Sequence, residues 1–181
     1  MERVQLFFSE MSQIVGSDGL SVVVLTDESR QHALTVVLDH AMNEQLSLRL
    51  KGIPGHSTML PEVLLSMFEA ETIMQMEMMV YDVSAGQYHV TLLNRQTLTL
   101  RNIRMSDAIL LSHIARIPLY IDADLFARQC SPYEPGCKGL QIPINAIDTQ
   151  RLNVELEKAI AQEDYRLASH LQKELRRREV K

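Results

Sequence analysis

The sequence lacks tryptophan, has only two cysteines among its 181 residues, and contains no long apolar run. Two cysteines are too few for a disulfide scaffold. A membrane-spanning helix needs roughly 18 or more consecutive apolar residues, so none is predicted. The first residues also lack the basic stretch and apolar core of a secretory signal. We therefore expect a cytoplasmic protein without a membrane partner.

Positive charge is scarce as well. The formal net charge is −5, which excludes a protein that coats nucleic acid by charge alone, because such binding relies on Lys and Arg. Residues 1–147 carry 10 Lys and Arg against 16 Asp and Glu, whereas residues 148–181 carry 8 against 7 and have no Gly or Pro. These shifts predict a main domain over 1–129, a Pro- and Gly-rich connector over 130–147, and a helical segment over 148–181.

The apolar spacing of the main domain predicts an α+β fold with a compact mixed or antiparallel sheet and packed helices. Strands are predicted at Val4–Phe8, Leu20–Thr26, His32–Leu38, Tyr88–Leu93, Thr97–Ile103 and Pro118–Ile121. A turn is predicted at residues 16–19. Helices are predicted between Asp39 as N-cap and Gly52 as stop, over Ser106–Arg116, and over Asp122–Gln129.

Two further stretches of the main domain have apolar patterns. Val63, Leu64, Met67 and Phe68 form one apolar helical face after Pro61. Residues 72–83 alternate with a period of two, which places Met74, Met76 and Met78 on one face of a strand and Glu77 on the other.

The last segment predicts a two-helix hairpin. One apolar stripe consists of Leu152, Leu156 and Ile160, and the other consists of Tyr165, Ala168, Leu171 and Leu175. The bend falls at residues 162–164, with Asp164 as a candidate N-cap. Neither helix can bury its stripe alone, so the two are expected to pair.

The segment Arg104–Ile109, RMSDAI, follows a strand and opens a helix. One interpretation is structural: Ser106 caps the helix, Asp107 lies at its positive end, and Arg104 pairs with a carboxylate. The other is functional: backbone N–H groups at the helix start and Arg104 hold a phosphate, while Asp107 binds a metal ion or a water molecule. His89, on a strand, is interpreted as partly exposed packing.

Several segments in order resemble the bifunctional nuclease domain family. They are LTVVLDHAMNEQLSLRLKG (34–52), MMVYDVSAGQYHVTLL (78–93), RMSDAI (104–109) and IPLYID (117–122). The resemblance implies a compact α+β domain, usually dimeric, that cleaves DNA or RNA. It implies catalytic roles for Asp107, Arg104 and Ser106, and Mg²⁺ or Mn²⁺ at Asp107. Glu62 is a further catalytic candidate, because a metal-dependent nuclease needs several converging carboxylates.

Two family positions differ here. The family's Thr-His-Asp-Leu segment stands as Leu60-Pro61-Glu62-Val63, without the histidine, and a family glutamate aligns with Met42. His56, a few residues upstream, is interpreted as a loop histidine. These differences leave open a non-enzymatic alternative, in which the domain is an oligomeric scaffold or a ligand sensor.

The stretch Leu156–Leu175 resembles a UVR motif, a helical hairpin that serves as a protein–protein module. The similarity rests on Leu156, Ala159, residues 163–165, Ala168 and Leu175, while the motif's Arg-Asp pair is Gln172-Lys173 here. It implies a protein partner bound through Leu156, Tyr165, Ala168, Leu171 and Leu175. The alternative is a generic amphipathic hairpin that packs on the main domain.

Overall fold

The computed structural model describes residues 2–13, 21–133, 147 and 149–179. The described strands are β1 (Arg3–Gln13), β2 (Ser21–Thr26), β3 (His32–Leu38), β4 (Met76–Ser84), β5 (Gln87–Asn94), β6 (Thr99–Arg104), β7 (Leu119–Asp122) and β8 (Ser131–Pro132). The described helices are α1 (His40–Leu50), α2 (Leu60–Ser66), α3 (Ala70–Met74), α4 (Met105–Ala115), α5 (Ala123–Gln129), α6 (Thr149–Ala161) and α7 (Tyr165–Glu179). A 3₁₀ turn covers His56–Thr58. The turn predicted at residues 16–19 and most of the predicted connector lie outside the described residues.

The strands form one mixed sheet in the order β6-β5-β4-β7-β1-β2-β3-β8, so the α+β prediction is confirmed. Neighbouring strands pair antiparallel except β4 and β7, which are parallel. Every residue of β2 is buried, as its continuous apolar run predicts for a strand covered on both faces. None of the described helices is long and apolar enough to cross a membrane.

Local sequence signals account for several boundaries. The Asp39 carboxylate accepts a hydrogen bond from the Met42 backbone N–H at 2.8 Å and caps α1. Gly52 follows that helix with a φ of 61°, a left-handed conformation that glycine adopts without strain. Ala85 and Gly86 both have positive φ, which gives the β4–β5 turn the twist that a tight hairpin requires.

The strand predicted from the alternation of residues 72–83 is wrong at its start. Residues 70–74 form α3 rather than a strand, and Met74 is 76% exposed. Methionine and glutamate are good helix formers, so a short apolar pattern that contains them can form either a helix or a strand. Glu77, placed on an outer face by the alternation, is buried and pairs with Arg3 at 3.0 Å. The Arg3 guanidinium offsets the buried charge.

The hairpin formed by α6 and α7 is confirmed. Leu152, Ala159 and Leu171 form a small buried core that is separate from the core of the sheet. The Asp164 carboxylate accepts from the Leu167 backbone N–H at 3.0 Å, as predicted for an N-cap. The first stripe is displaced by one residue: Ala159 is buried, and Ile160 is 56% exposed.

Helix α2 lies on the surface, contrary to the apolar face predicted for it. None of its residues is buried, and the exposed fractions of Leu60 and Leu64 on the helix and of Met67 and Phe68 just after it range from 48% to 77%. A cluster of large exposed apolar side chains is typical of a protein–protein contact. The cluster therefore supports the expectation of a homodimer or higher homo-oligomer.

Replacing Phe68 with Glu is expected to shift the protein toward the monomer, because a charge would be desolvated in any apolar contact through α2. The mass is measured by light scattering over a range of concentrations. Leu98→Glu, at a more exposed apolar site on the loop before β6, is the control and should leave the mass unchanged. A wild-type protein that stays monomeric at all concentrations contradicts the expectation.

Candidate functional site

A cleft of about 540 Å³ lies where the end of β3, the β4–β5 hairpin, the β6–α4 junction and the start of α6 meet. Its polar lining residues are Asp39, Tyr81, Gln87, Tyr88, His89, Asn102, Arg104, Ser106 and Arg151. The volume is within the range of small-molecule and cofactor sites, roughly 300–1,000 Å³. Two of the four predicted catalytic residues, Arg104 and Ser106, lie on its wall.

Arg104 and Asp107 form a two-point ion pair at the edge of the cleft. Arg104 Nε and Nη2 donate to the two Asp107 oxygens at 2.8 and 3.0 Å. The side chains are 68% and 37% exposed, so the pair adds little to stability. The Asp107 carboxylate raises the pKa of Arg104. Arg104 lines the cleft and Asp107 does not. The contacts of Asp107 orient the Arg104 side chain.

Ser106 is not the N-cap that one interpretation of RMSDAI predicted. The cap position belongs to Arg104, whose φ and ψ are −74° and 150°, and no side chain among the described residues caps the helix. Strand β6 passes directly into α4, so the helix begins one residue earlier than expected. The backbone N–H groups of the first turn therefore have no side-chain cap, and the positive end of the dipole of this 11-residue helix adjoins the cleft.

Tyr88 borders the cleft, and its hydroxyl is buried in the domain core. The residue is 8% exposed, and its buried hydroxyl has no hydrogen-bond partner among the residues that the structure describes. Burial raises the pKa of Tyr88, so the hydroxyl stays protonated and can donate. A buried hydroxyl without a partner costs free energy.

His89 and Tyr81 supply aromatic surface on the same wall. The ring centroids are 6.0 Å apart, and His89 Nε2 lies 2.7 Å from Ser84 Oγ. The β5–β6 register places His89 opposite Arg104. The strand alternation around His89 predicted partly exposed packing, because that pattern gives no sign of the cleft.

Glu62 does not reach the cleft. Its two oxygens accept from Arg49 Nε and Nη2, both at 2.7 Å, and the Arg49 side chain is only 3% exposed. His56 Nδ1 lies 3.6 Å from Glu62 Oε1. The hydrogen bonds from Arg49 lower the pKa of Glu62. This ion pair fastens α2 to α1, so the structure gives Glu62 a stabilising position rather than a catalytic one.

The residues near Asp107 do not fit the Mg²⁺ or Mn²⁺ site expected there. These ions prefer several oxygen ligands, yet both Asp107 oxygens contact Arg104. Asp39, the carboxylate that lines the cleft, already caps α1. In the part of the chain that the structure describes, no three His, Cys, Asp or Glu side chains form a group that could hold a metal ion.

The five predicted partner-binding residues are divided by the hairpin itself. Leu171 is 2% exposed in the hairpin core, and Leu156, Ala168 and Leu175 pack against that core. Tyr165, by contrast, is 70% exposed. Four of the five therefore hold the hairpin together, and Tyr165 is the one that stays exposed.

Replacing Glu62 with Gln is expected to lower the free energy of unfolding at pH 7 by roughly 3 kcal/mol, because the buried Arg49 charge loses its partner. The folded pKa of Glu62 lies below its usual 4.5, so its contribution is complete above that pH and is lost as the pH falls through the folded value. Urea unfolding at pH 7 and at about pH 3.5 measures both effects.

The control for this substitution is Glu71→Gln, at an exposed position of α3, which should change stability little at either pH. A Glu62→Gln effect of the same size at both pH values would rule out the ion-pair explanation.

Comparison with known proteins bears on the part of the chain that contains most of the cleft. Residues 23–134 match the family model of the bifunctional nuclease domain. No curated protein matches the chain. The matched region is more than half of the 181 residues and includes Arg104, Ser106 and Asp107, while α6 and α7 lie beyond it. The chain belongs to the bifunctional nuclease domain family.

Proposed function

We propose that the protein binds a nucleic-acid strand in the Arg104 cleft and hydrolyses its phosphodiester bonds. The observation that carries the proposal is the meeting of Arg104 with the start of α4, which no side chain caps, on the wall of one cleft. Guanidinium groups and helix N-termini both favour phosphate. Family membership supports the reaction class.

The cleft residues have complementary tasks in this proposal. Arg104 and the first backbone N–H groups of α4 hold the phosphate and stabilise the charge that grows on its oxygens as water attacks phosphorus. The ester P–O bond breaks, and the proton from water passes to the leaving oxygen. His89 is the titratable ring on the wall and is the candidate for moving that proton. Asp107 is a positioning residue that acts through Arg104.

The acidic charge of the chain is consistent with a confined site. A net charge of −5 repels a phosphate backbone over most of the surface, whereas Arg104 and Arg151 place positive charge at the cleft. Local charge in a cleft directs an anion more effectively than average surface charge. Binding should therefore be weak except where a phosphate reaches this cleft.

Purified protein is expected to cleave DNA or RNA oligonucleotides, and Arg104→Gln should lower the rate by about 100-fold or more, because a preorganised charge at the phosphate is lost. Cleavage is followed on single- and double-stranded substrates with Mg²⁺, with Mn²⁺ and with a chelator. Arg101→Gln, on the same strand but outside the cleft, is the matched control. No cleavage by the wild type, or equal cleavage by Arg104→Gln, refutes the proposal.

Asp107→Asn separates the two roles considered for that residue. A positioning role predicts a loss of activity that is similar with Mg²⁺, with Mn²⁺ and with a chelator. A metal-binding role predicts that activity depends on metal and that the variant needs a higher metal concentration.

We also propose that α6 and α7 form a UVR-type hairpin that docks a protein partner, as the alternative function requires. Tyr165, at 70%, and Leu167, at 41%, stay exposed after the hairpin has formed its own core. Aromatic and large apolar side chains at such positions are common anchors of protein–protein contacts.

A Tyr165→Ser, Leu167→Ser double variant should lose partners that the full wild-type chain captures from a cell extract, because its apolar anchors are gone. Captured proteins are identified by mass spectrometry. Val154→Ser removes an apolar side chain of α6 that is 48% exposed and serves as the control. A captured set that is identical for all three proteins argues against docking through this face.

A further inference from the structure

The cleft is built from two parts of the chain that do not share a hydrophobic core. The sheet domain and the hairpin each have their own cluster of buried apolar residues. Ile147 and Arg151, immediately before and within the first turn of α6, line the same cleft as Arg104 and Tyr88. The hairpin therefore supplies one wall of a site whose other walls belong to the domain.

The chemistry of these walls fits a nucleotide. Arg104 stands on the domain side, and its third nitrogen, Nη1, has no hydrogen-bond partner within the described ranges. Arg151 brings a second guanidinium from the hairpin side. Tyr81 and His89 provide ring faces on which a base can stack.

We propose that the hairpin is a ligand-dependent clamp, in which the phosphate of a nucleotide bound between Arg104 and Arg151 fastens α6 to the sheet domain. The inference rests on the proposed function, because it takes the cleft as a phosphate site. It adds that Arg151 is part of that site and that occupancy changes how firmly the hairpin is held.

The physical basis of the clamp is thermodynamic linkage between ligand binding and the position of the hairpin. An anion that contacts both Arg104 and Arg151 is attracted by each guanidinium group, and it can contact both only while the hairpin lies against the sheet domain. A ligand that contacts both parts binds the closed arrangement more tightly than the open one and shifts the population toward it. The cost of opening the hairpin then rises with ligand concentration.

The test uses the full chain and hydrogen exchange measured by mass spectrometry. Adenosine monophosphate is the probe, with adenosine and inorganic phosphate as separate arms. The monophosphate is expected to slow exchange of the amides in α6 several-fold. Adenosine lacks the bridging anion and should slow it little. Protection by inorganic phosphate alone would show that the anion suffices without a base. If saturating monophosphate leaves the exchange rates of the α6 amides unchanged, the clamp is overturned.

Variants of hairpin arginines identify the contact. Arg151→Gln should weaken monophosphate binding, measured by calorimetry, by about tenfold or more, which is the loss expected for one charged hydrogen bond. It should also abolish protection of α6, and Arg151→Lys should restore part of both effects. Arg166→Gln, on α7 outside the cleft, is the matched control. Wild-type affinity in Arg151→Gln, or no binding by the wild type, overturns the inference.

Cleavage assays on the same preparations separate this inference from the proposed hydrolysis. Protection of α6 by the monophosphate together with an absence of strand cleavage would leave the clamp standing and refute the nuclease activity. If the wild type and Arg151→Gln cleave at equal rates and the monophosphate does not protect α6, the nuclease activity stands and the clamp is refuted.

Discussion

The direct passage from β6 into α4 is the constraint on which the site depends. No residue separates the last strand residue, Arg104, from the first helical residue, Met105. Arg104 therefore takes the cap position, and its side chain is held by Asp107 one turn into the helix. The same junction leaves the helix start without a side-chain cap beside the cleft. A single linking residue would separate the guanidinium from the dipole and leave two weaker features in place of one phosphate site.

The sheet brings the remaining walls to that junction. The β5–β6 register sets His89 opposite Arg104, and the β4–β5 hairpin carries Tyr81 and Tyr88 to the same place. Helix α4 then returns the chain to β7, which lies beside β4 in the interior of the sheet. The order of the strands thus connects the buried centre of the domain to the cleft at its margin.

Much of the fold follows from local patterns in the sequence. The bounds of β3, the Asp39 cap and the pairing of α6 with α7 depend on short-range periodicity and turn chemistry, and each was predicted. The failures have long-range causes. Glu77 is buried because Arg3, far away in sequence, neutralises it. Helix α2 is exposed because the interior is filled by other elements, which its apolar spacing does not reveal.

The candidate site shows the same division. Arg104 and Ser106 belong to one local motif and were found. Tyr88, His89 and Arg151 come from other segments and meet only when strand register and the hairpin are in place, so no spacing in the sequence joins them. Glu62 was selected as one of several carboxylates that a metal-dependent nuclease could use, but its side chain pairs with Arg49 of α1.

Tyr81 and Tyr88 in the cleft give the protein an intrinsic optical reporter. The chain has five tyrosines and no tryptophan, so no indole accepts the excitation energy of its phenols or hides their emission. Two of the five tyrosines line the cleft. The buried hydroxyl of Tyr88 has no hydrogen-bond partner among the described residues. Filling the cleft should therefore alter ultraviolet emission of the unlabelled chain, and the residue missing from the composition is what makes that signal readable.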